Sequence, residues 1–377
     1  MLIAKFSLFP FGDEGTGIIW NTLVFVAFLA FLFLFNQKIQ LWTFQRNVER
    51  ALRKLEVLAN NSRENVIQAV KALTGSDIRE EINRAINNFL EFFSIEPVDK
   101  DPYGVLRRLE HILDIRRDRF KDFISRIVPK ASKIECENLE GVLEAAIAVN
   151  FIYKIIRHFL ILGKKTKSLF ILMQLDMQMP LIMRIAEAYY GALQTFSQGK
   201  PIGDGLGPLV AAKLMVNAPV KRSVAEDVVA AEVNIENRRV IVLKAEGPGG
   251  TVGKPGEAVK RIIEENGGHV SRIIMIDAAA KLEGEKTGEL AEGVGAAIGD
   301  PGPEKFKIEE MATRYGIPID AIIVKMGLDE ALTVMRREIA EAADAVIDRI
   351  LKAIRERTRE GDTVIVAGIG NTIGIAQ

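Results

Sequence analysis

The spacing of apolar residues changes character twice along the chain. From Ile18 to Phe35 they run without a charge for 18 residues; from about 40 to 198 they recur every three to four positions; beyond 200 they gather into short β-branched runs between helical stretches. The first run would make about 27 Å of helix, close to the thickness of a bilayer core. Trp20 and Trp42 bracket it as interfacial anchors would. The run ends in "FNQKIQLW", without the small-residue cleavage site of a signal peptide, which predicts a retained anchor.

The second region predicts helices throughout. The period of 3.6 is clear in "NVIQAVKAL", "INRAINNFLEFF" and "VLRRLEHIL", with Ser76 placed to cap one helix and Asp101-Pro102 to start another. In "SLFILMQLDMQMPLIMRIAEAYYGAL" the polar Gln174, Asp176 and Gln178 and the interior Pro180 make a lipid-exposed span costly, so a buried or subunit-packing helix is expected. The third region alternates strands at 238–245, 271–278, 319–326 and 362–368 with helices near 208–217, 255–266, 305–315 and 328–358. Near-continuous apolar strands separated by helices predict a parallel sheet covered on both faces. The pattern as a whole predicts an extracytoplasmic segment 1–16, a transmembrane helix 17–37, an all-α middle domain 38–199, and a C-terminal α/β domain 200–377 with a mainly parallel sheet.

Charge adds topology rather than partners. Fifty Lys and Arg balance fifty Asp and Glu, so no overall field favours nucleic acid, and none is expected as a partner. Lys38, Arg46, Arg50, Arg53 and Lys54 follow the apolar run, whereas Asp13 and Glu14 precede it. The positive-inside rule then predicts a single-pass cell-membrane protein, in contact with the lipid bilayer, whose body lies in the cytoplasm. The stretch "RRLEHILDIRRDRFKDF" is basic, but Glu110, Asp114, Asp118 and Asp122 interleave with its arginines, as on a solvated, salt-bridged face. Cys136 is alone, and His111, His158 and His269 are scattered, so neither a metal nor a cofactor is called for.

Candidate chemistry sits at the carboxyl ends of the predicted strands, where open α/β sheets form their sites. "GPGGTVGKPGEAVKRI" resembles a P-loop only superficially, because Pro248 and Pro255 occupy the places of an essential Gly and of the magnesium-binding hydroxyl. A tight strand-to-helix turn explains its glycines better. At the other end of the domain, "VAGIGNTIGIAQ" carries a strand into a Gly-x-Gly-Asn turn, while "GDGLGPLVAAKLM" opens the domain at 203–215.

"GIGN" resembles the first-strand turn of the hydrogenase maturation proteases and of the germination protease of spore-forming bacteria. "GDGLGPLV" resembles the acidic segment that follows that turn in those families, and "IIMIDAAAKLEGE" resembles their Ile-Asp-Ala strand end, here followed by "GVGAAIGDPGP". The resemblance implies a phosphorylase/hydrolase-like domain in circularly permuted order. It further implies that Asp204 and Asp277 are the paired carboxylates of a peptidase acting on a peptide or protein, with Gly205, Gly368, Gly370, Asn371 and Glu283 beside them. The stretch "VKMGLDEAL" lacks the histidine of the nickel-recognising group, so the resemblance implies no metal. The chain as a whole is similar to an archaeal membrane-protein family of unknown function. A non-catalytic, membrane-tethered scaffold or ligand-binding protein, forming a homo-oligomer, is the alternative that the same residues leave open.

Overall fold

The computed structural model describes residues 14–75, 80–94, 104–299 and 302–376. Most of the expected extracytoplasmic segment, the Ser76 cap, the Asp101-Pro102 helix start, and Asp300 and Pro301 lie outside the described residues. The chain forms two compact units, Met1–Lys54 with Lys154–Ile182, and Leu55–Tyr153 with Met183–Gln377. Five long or middle-length helices run through its first half: α1 (Glu14–Thr74), α2 (Glu80–Phe89), α3 (Val105–Ile127), α4 (Lys133–Thr166) and α5 (Leu169–Ser197).

The first unit contains the start of α1, the end of α4 and the start of α5. The apolar run on α1 is helical and exposed all round, with Trp20, Leu23, Phe25, Phe28 and Phe31 each more than half open. Helices α4 and α5 are also each long and apolar enough to cross a membrane. Of the single N-terminal span expected from the sequence, the coarser part stands: the chain carries helices long and apolar enough to cross a membrane. The first half of α5 is also less buried than expected: Leu172, Leu175 and Met179 are covered, but Phe170, Met177 and Leu181 are 60% or more exposed. The apolar positions outnumber what a single packed face can take.

In the second unit, the remaining helical segments close around Val66, Ile86, Phe120, Phe123, Leu143 and Leu193. Phe89 stacks on Phe123 with ring centroids 3.9 Å apart. The α/β part begins with a single 3-10 turn, Gly203–Gly205, and then α6 (Leu206–Met215). The strands are β1 (Lys221–Ala225), β2 (Val228–Ile235), β3 (Arg238–Ala245), β4 (Arg272–Ala280), β5 (Leu290–Val294), β6 (Ile319–Met326) and β7 (Thr363–Gly368). The intervening helices are α7 (Pro255–Glu265), α8 (Pro303–Tyr315), α9 (Leu328–Leu332) and α10 (Arg337–Arg357). Helices α6 and α10 cover one face of the sheet, and α7 and α8 the other.

The sheet order is β1-β2-β3-β7-β4-β6-β5. The four central strands, all expected, are parallel, but β1, β2 and β5 join antiparallel at the edges, so the sheet is mixed rather than mainly parallel. Hairpins explain the difference. The β2–β3 turn places Glu236 and Asn237 at positive φ (49° and 63°), the two-residue geometry whose twist matches paired strands. The expected helix 328–358 is likewise broken at Thr333–Arg336. There Met335 N–H donates to the Pro201 carbonyl (2.8 Å) and Val334 bridges Ile202, so backbone that would have been helical pairs with the chain entering the domain.

Candidate active site

Strand β7 ends at Gly368, opposite Ile276 of β4. Strand β4 continues, so Asp277 is the first residue standing beyond the end of its neighbour. The chain leaving β7 turns back over this gap through Ile369 and Gly370, and Ile369 N–H donates to the Ile276 carbonyl (2.8 Å). Gly370 adopts φ 135°, and a Cβ there would lie 2.0 Å from the Asp204 carbonyl oxygen. Only glycine lets the turn press onto the 3-10 turn that carries Asp204. Asn371 N–H then donates to Asp204 Oδ2 at 2.8 Å.

Asp204 and Asp277 thereby face one cavity of about 320 Å³, together with Gly370 and Ile369. Its walls are mainly apolar: Leu113 from α3, Val252 and Pro255 at the start of α7, Ile298, and Pro303 at the start of α8. Asp277 is 6% exposed, and its Oδ1 accepts the N–H of Ala278 at 2.7 Å. Burial, reinforced by the Asp204 charge and opposed by that N–H, pushes its pKa up to about 8. Asp204 is enclosed by protein but keeps surface on the cavity. Burial raises its pKa as well, while the Asn371 N–H favours its charged form. Burial thus pushes both carboxyls toward the protonated form, and the charge of Asp204 helps to hold the proton on Asp277. Glu304 also lines the cavity, but it is engaged by Lys307 (3.0 Å) and by Glu257 N–H (3.0 Å).

The other expected site residues fall around this pair in different ways. Gly368 closes β7, and a Cβ on it would meet the Gly207 carbonyl at 2.2 Å. Gly205 is buried against Ile375 and the Asn371 carbonyl. Asn371 positions Asp204 through its backbone, while its side-chain Oδ1 accepts Ile373 N–H (2.9 Å). Glu283 stands apart from the cavity. Its side chain is 98% exposed and pairs loosely with Arg184 at 3.7 Å, because the turn after β4 carries it into solvent. The glycine-rich stretch is a packed turn: Gly253 sits at φ 62°, and a Cβ there would lie 2.4 Å from the Asp227 carbonyl.

Leu113, Ile298 and Glu304 were not expected at the site. Leu113 had one available signal. Glu110, Leu113, Asp114, Arg117 and Lys121 share one stripe of α3, and its partly exposed charges pair with the α/β part rather than with one another. Glu110 binds Lys307 (2.7 Å), Asp114 binds Lys254 (2.8 Å), and Arg117 and Lys121 both bind Glu226 (2.9 and 3.1 Å). Among the described residues no group of three or more His, Cys, Asp or Glu converges as a metal site.

An α/β domain with two aspartates in one cavity beyond the ends of its strands belongs to a recognised family. The family described as "Protein of unknown function (DUF1512)" matches through its N-terminal domain over residues 22–199 and its C-terminal domain over 202–376, and the chain belongs to it. No curated protein matches the chain.

Proposed function

We propose that the C-terminal domain hydrolyses peptide bonds with Asp204 and Asp277, and that the apolar N-terminal unit holds this domain at the cytoplasmic face of a membrane. The observation that carries the proposal is the pair of carboxyls in one largely apolar cavity, with no cationic partner among the described residues, a state that lowers stability and that structural aspartates avoid. Asp204, charged, accepts a proton from a water molecule as that water attacks the scissile carbonyl. Asp277, protonated, donates to the departing amine nitrogen, so one proton enters the pair as another leaves.

The permuted order is supported by the contact between the two ends of the domain. A Cβ on Gly374 would lie 2.6 Å from Pro201, and Asn371 already bonds to Asp204. Membrane attachment is supported by the uncovered apolar residues of α1 and by the cationic residues that follow them. The exposed stripe Phe170, Met177 and Leu181 favours self-association of the tethered protein.

Full-length protein in detergent, incubated with a library of internally quenched peptides and read by mass spectrometry, tests the activity. Wild type cleaves, and Asp277→Asn and Asp204→Asn each lose about 10²-fold or more. Absence of cleavage by wild type, or cleavage that survives both substitutions, overturns the proposal.

A further inference from the structure

Helix α3 is held in two different ways along its length. Its C-terminal half buries Phe120, Phe123, Ile124 and Ile127 in the helical core. Its N-terminal half has no buried residue, and Gly104 at its start provides no side-chain cap. That half touches the α/β part through the ion pairs Glu110–Lys307, Asp114–Lys254 and Arg117–Glu226, with Leu113 between them facing the cavity of Asp204 and Asp277. Lys254 immediately precedes α7 and Lys307 lies in the first turns of α8, the two elements whose starts form the opposite wall. Apolar burial fixes one half of the helix, whereas partly exposed ion pairs, weak and screened by salt, hold the other.

We infer that the N-terminal half of α3 is a movable wall over the carboxylate pair, clamped shut by Glu110, Asp114 and Arg117, and that Leu113 selects the substrate side chain admitted beside the scissile bond. The substrate class follows from the lining. Among the described residues, the side chains facing the cavity are apolar apart from Asp204, Asp277 and Glu304. An aliphatic side chain gains by burial there, whereas an acidic one meets three carboxyls and no free cation among the described residues. An extended polypeptide needs the wall displaced before its backbone can reach between the two aspartates. The choice of substrate rests on the proposed hydrolysis; the motion of the wall does not.

A thiol placed inside the cavity separates the two. In a full-length Cys136→Ser background, Ile298→Cys, which lines the cavity on the same side of the sheet as Asp277, reports access through its rate of modification by a maleimide. With the clamp intact, modification is slow. Lys254→Ala combined with Lys307→Ala speeds it by about fivefold or more, as does raised salt. Glu110→Gln with Asp114→Asn does the same from the other side, which guards against misfolding of one variant. Lys213→Ala, which breaks an ion pair to Asp344 elsewhere, leaves the rate unchanged. A rate indifferent to both clamp variants and to salt overturns the movable wall. Cleavage of the peptide library tests selection separately: Leu113→Ala shifts preference from Leu and Ile toward Phe and Trp at one position. An unchanged preference in an active Leu113→Ala protein overturns selection by Leu113. Absence of cleavage in wild type defeats the proposed hydrolysis, and selection with it, while leaving the thiol result to decide the wall.

Discussion

Two aspartates on neighbouring strands of this sheet, Asp277 on β4 and Asp320 on β6, are almost equally buried, at 6% and 5% exposure, yet their surroundings are opposites. Asp320 lies at the amino end of the strands. Arg272 Nη1 stands 2.9 Å from both its oxygens, and Arg357 Nη1 donates to Oδ2 at 2.9 Å, with Glu292 continuing the network. Asp277 lies toward the carboxyl end with one backbone N–H and another carboxylate for company. The fold thus neutralises one buried acid fully and leaves the acid of the next strand facing only a backbone N–H and a second carboxylate, the setting in which the proposed chemistry would place it.

The largest effect that sharpens this contrast is on Asp320. Asp320→Asn leaves Arg272 and Arg357 without their buried counter-charge and lowers unfolding free energy by about 3–5 kcal/mol in a denaturant titration. Asp277→Asn has the opposite sign. Because the folded-state pKa of Asp277 is raised to about 8, the folded protein holds a proton that the unfolded chain releases near pH 4. That stabilisation is whole below pH 4 and is lost as pH rises to about 8, by up to about 1.4 kcal/mol per unit. Asp277→Asn flattens this slope in melts run across that range; an unchanged slope would show that Asp277 is ordinary. Gly370→Ala follows, at roughly 1–3 kcal/mol of destabilisation, since its φ and the nearby Asp204 carbonyl both resist a side chain. Glu283→Gln closes the series with a change within about 0.5 kcal/mol, and no loss of cleavage, because its carboxylate is in solvent.

Local pattern carried much of this structure. The four central strands announced themselves as β-branched runs, and short motifs singled out Asp204 and Asp277, which line one cavity because each lies where a strand or turn ends. What stayed hidden depends on partners distant in sequence. Strand β5 shows only the weak run "LAEGV", and it exists because β6 offers it an edge. The break at Thr333–Arg336 exists because Pro201 needs a partner for its carbonyl. Leu113 reads as one more helical leucine until α3 is laid across α7 and α8. Glu283, near Asp277 in sequence, shows the converse, since a turn can separate in space what the chain keeps adjacent.

The position of β7 sets an order of events in time. It is the middle strand, yet it follows every other strand along the chain. The segments β1-β2-β3 and β4-β6-β5 can each pair internally as they leave the ribosome, but as two separate half-sheets. Only when β7 slides between β3 and β4 do the halves meet, a late, long-range step of the kind that slows folding and leaves strand edges open meanwhile. The same step brings Gly370 and Asn371 to Asp204, so the nascent chain carries both aspartates well before it carries a cavity to hold them.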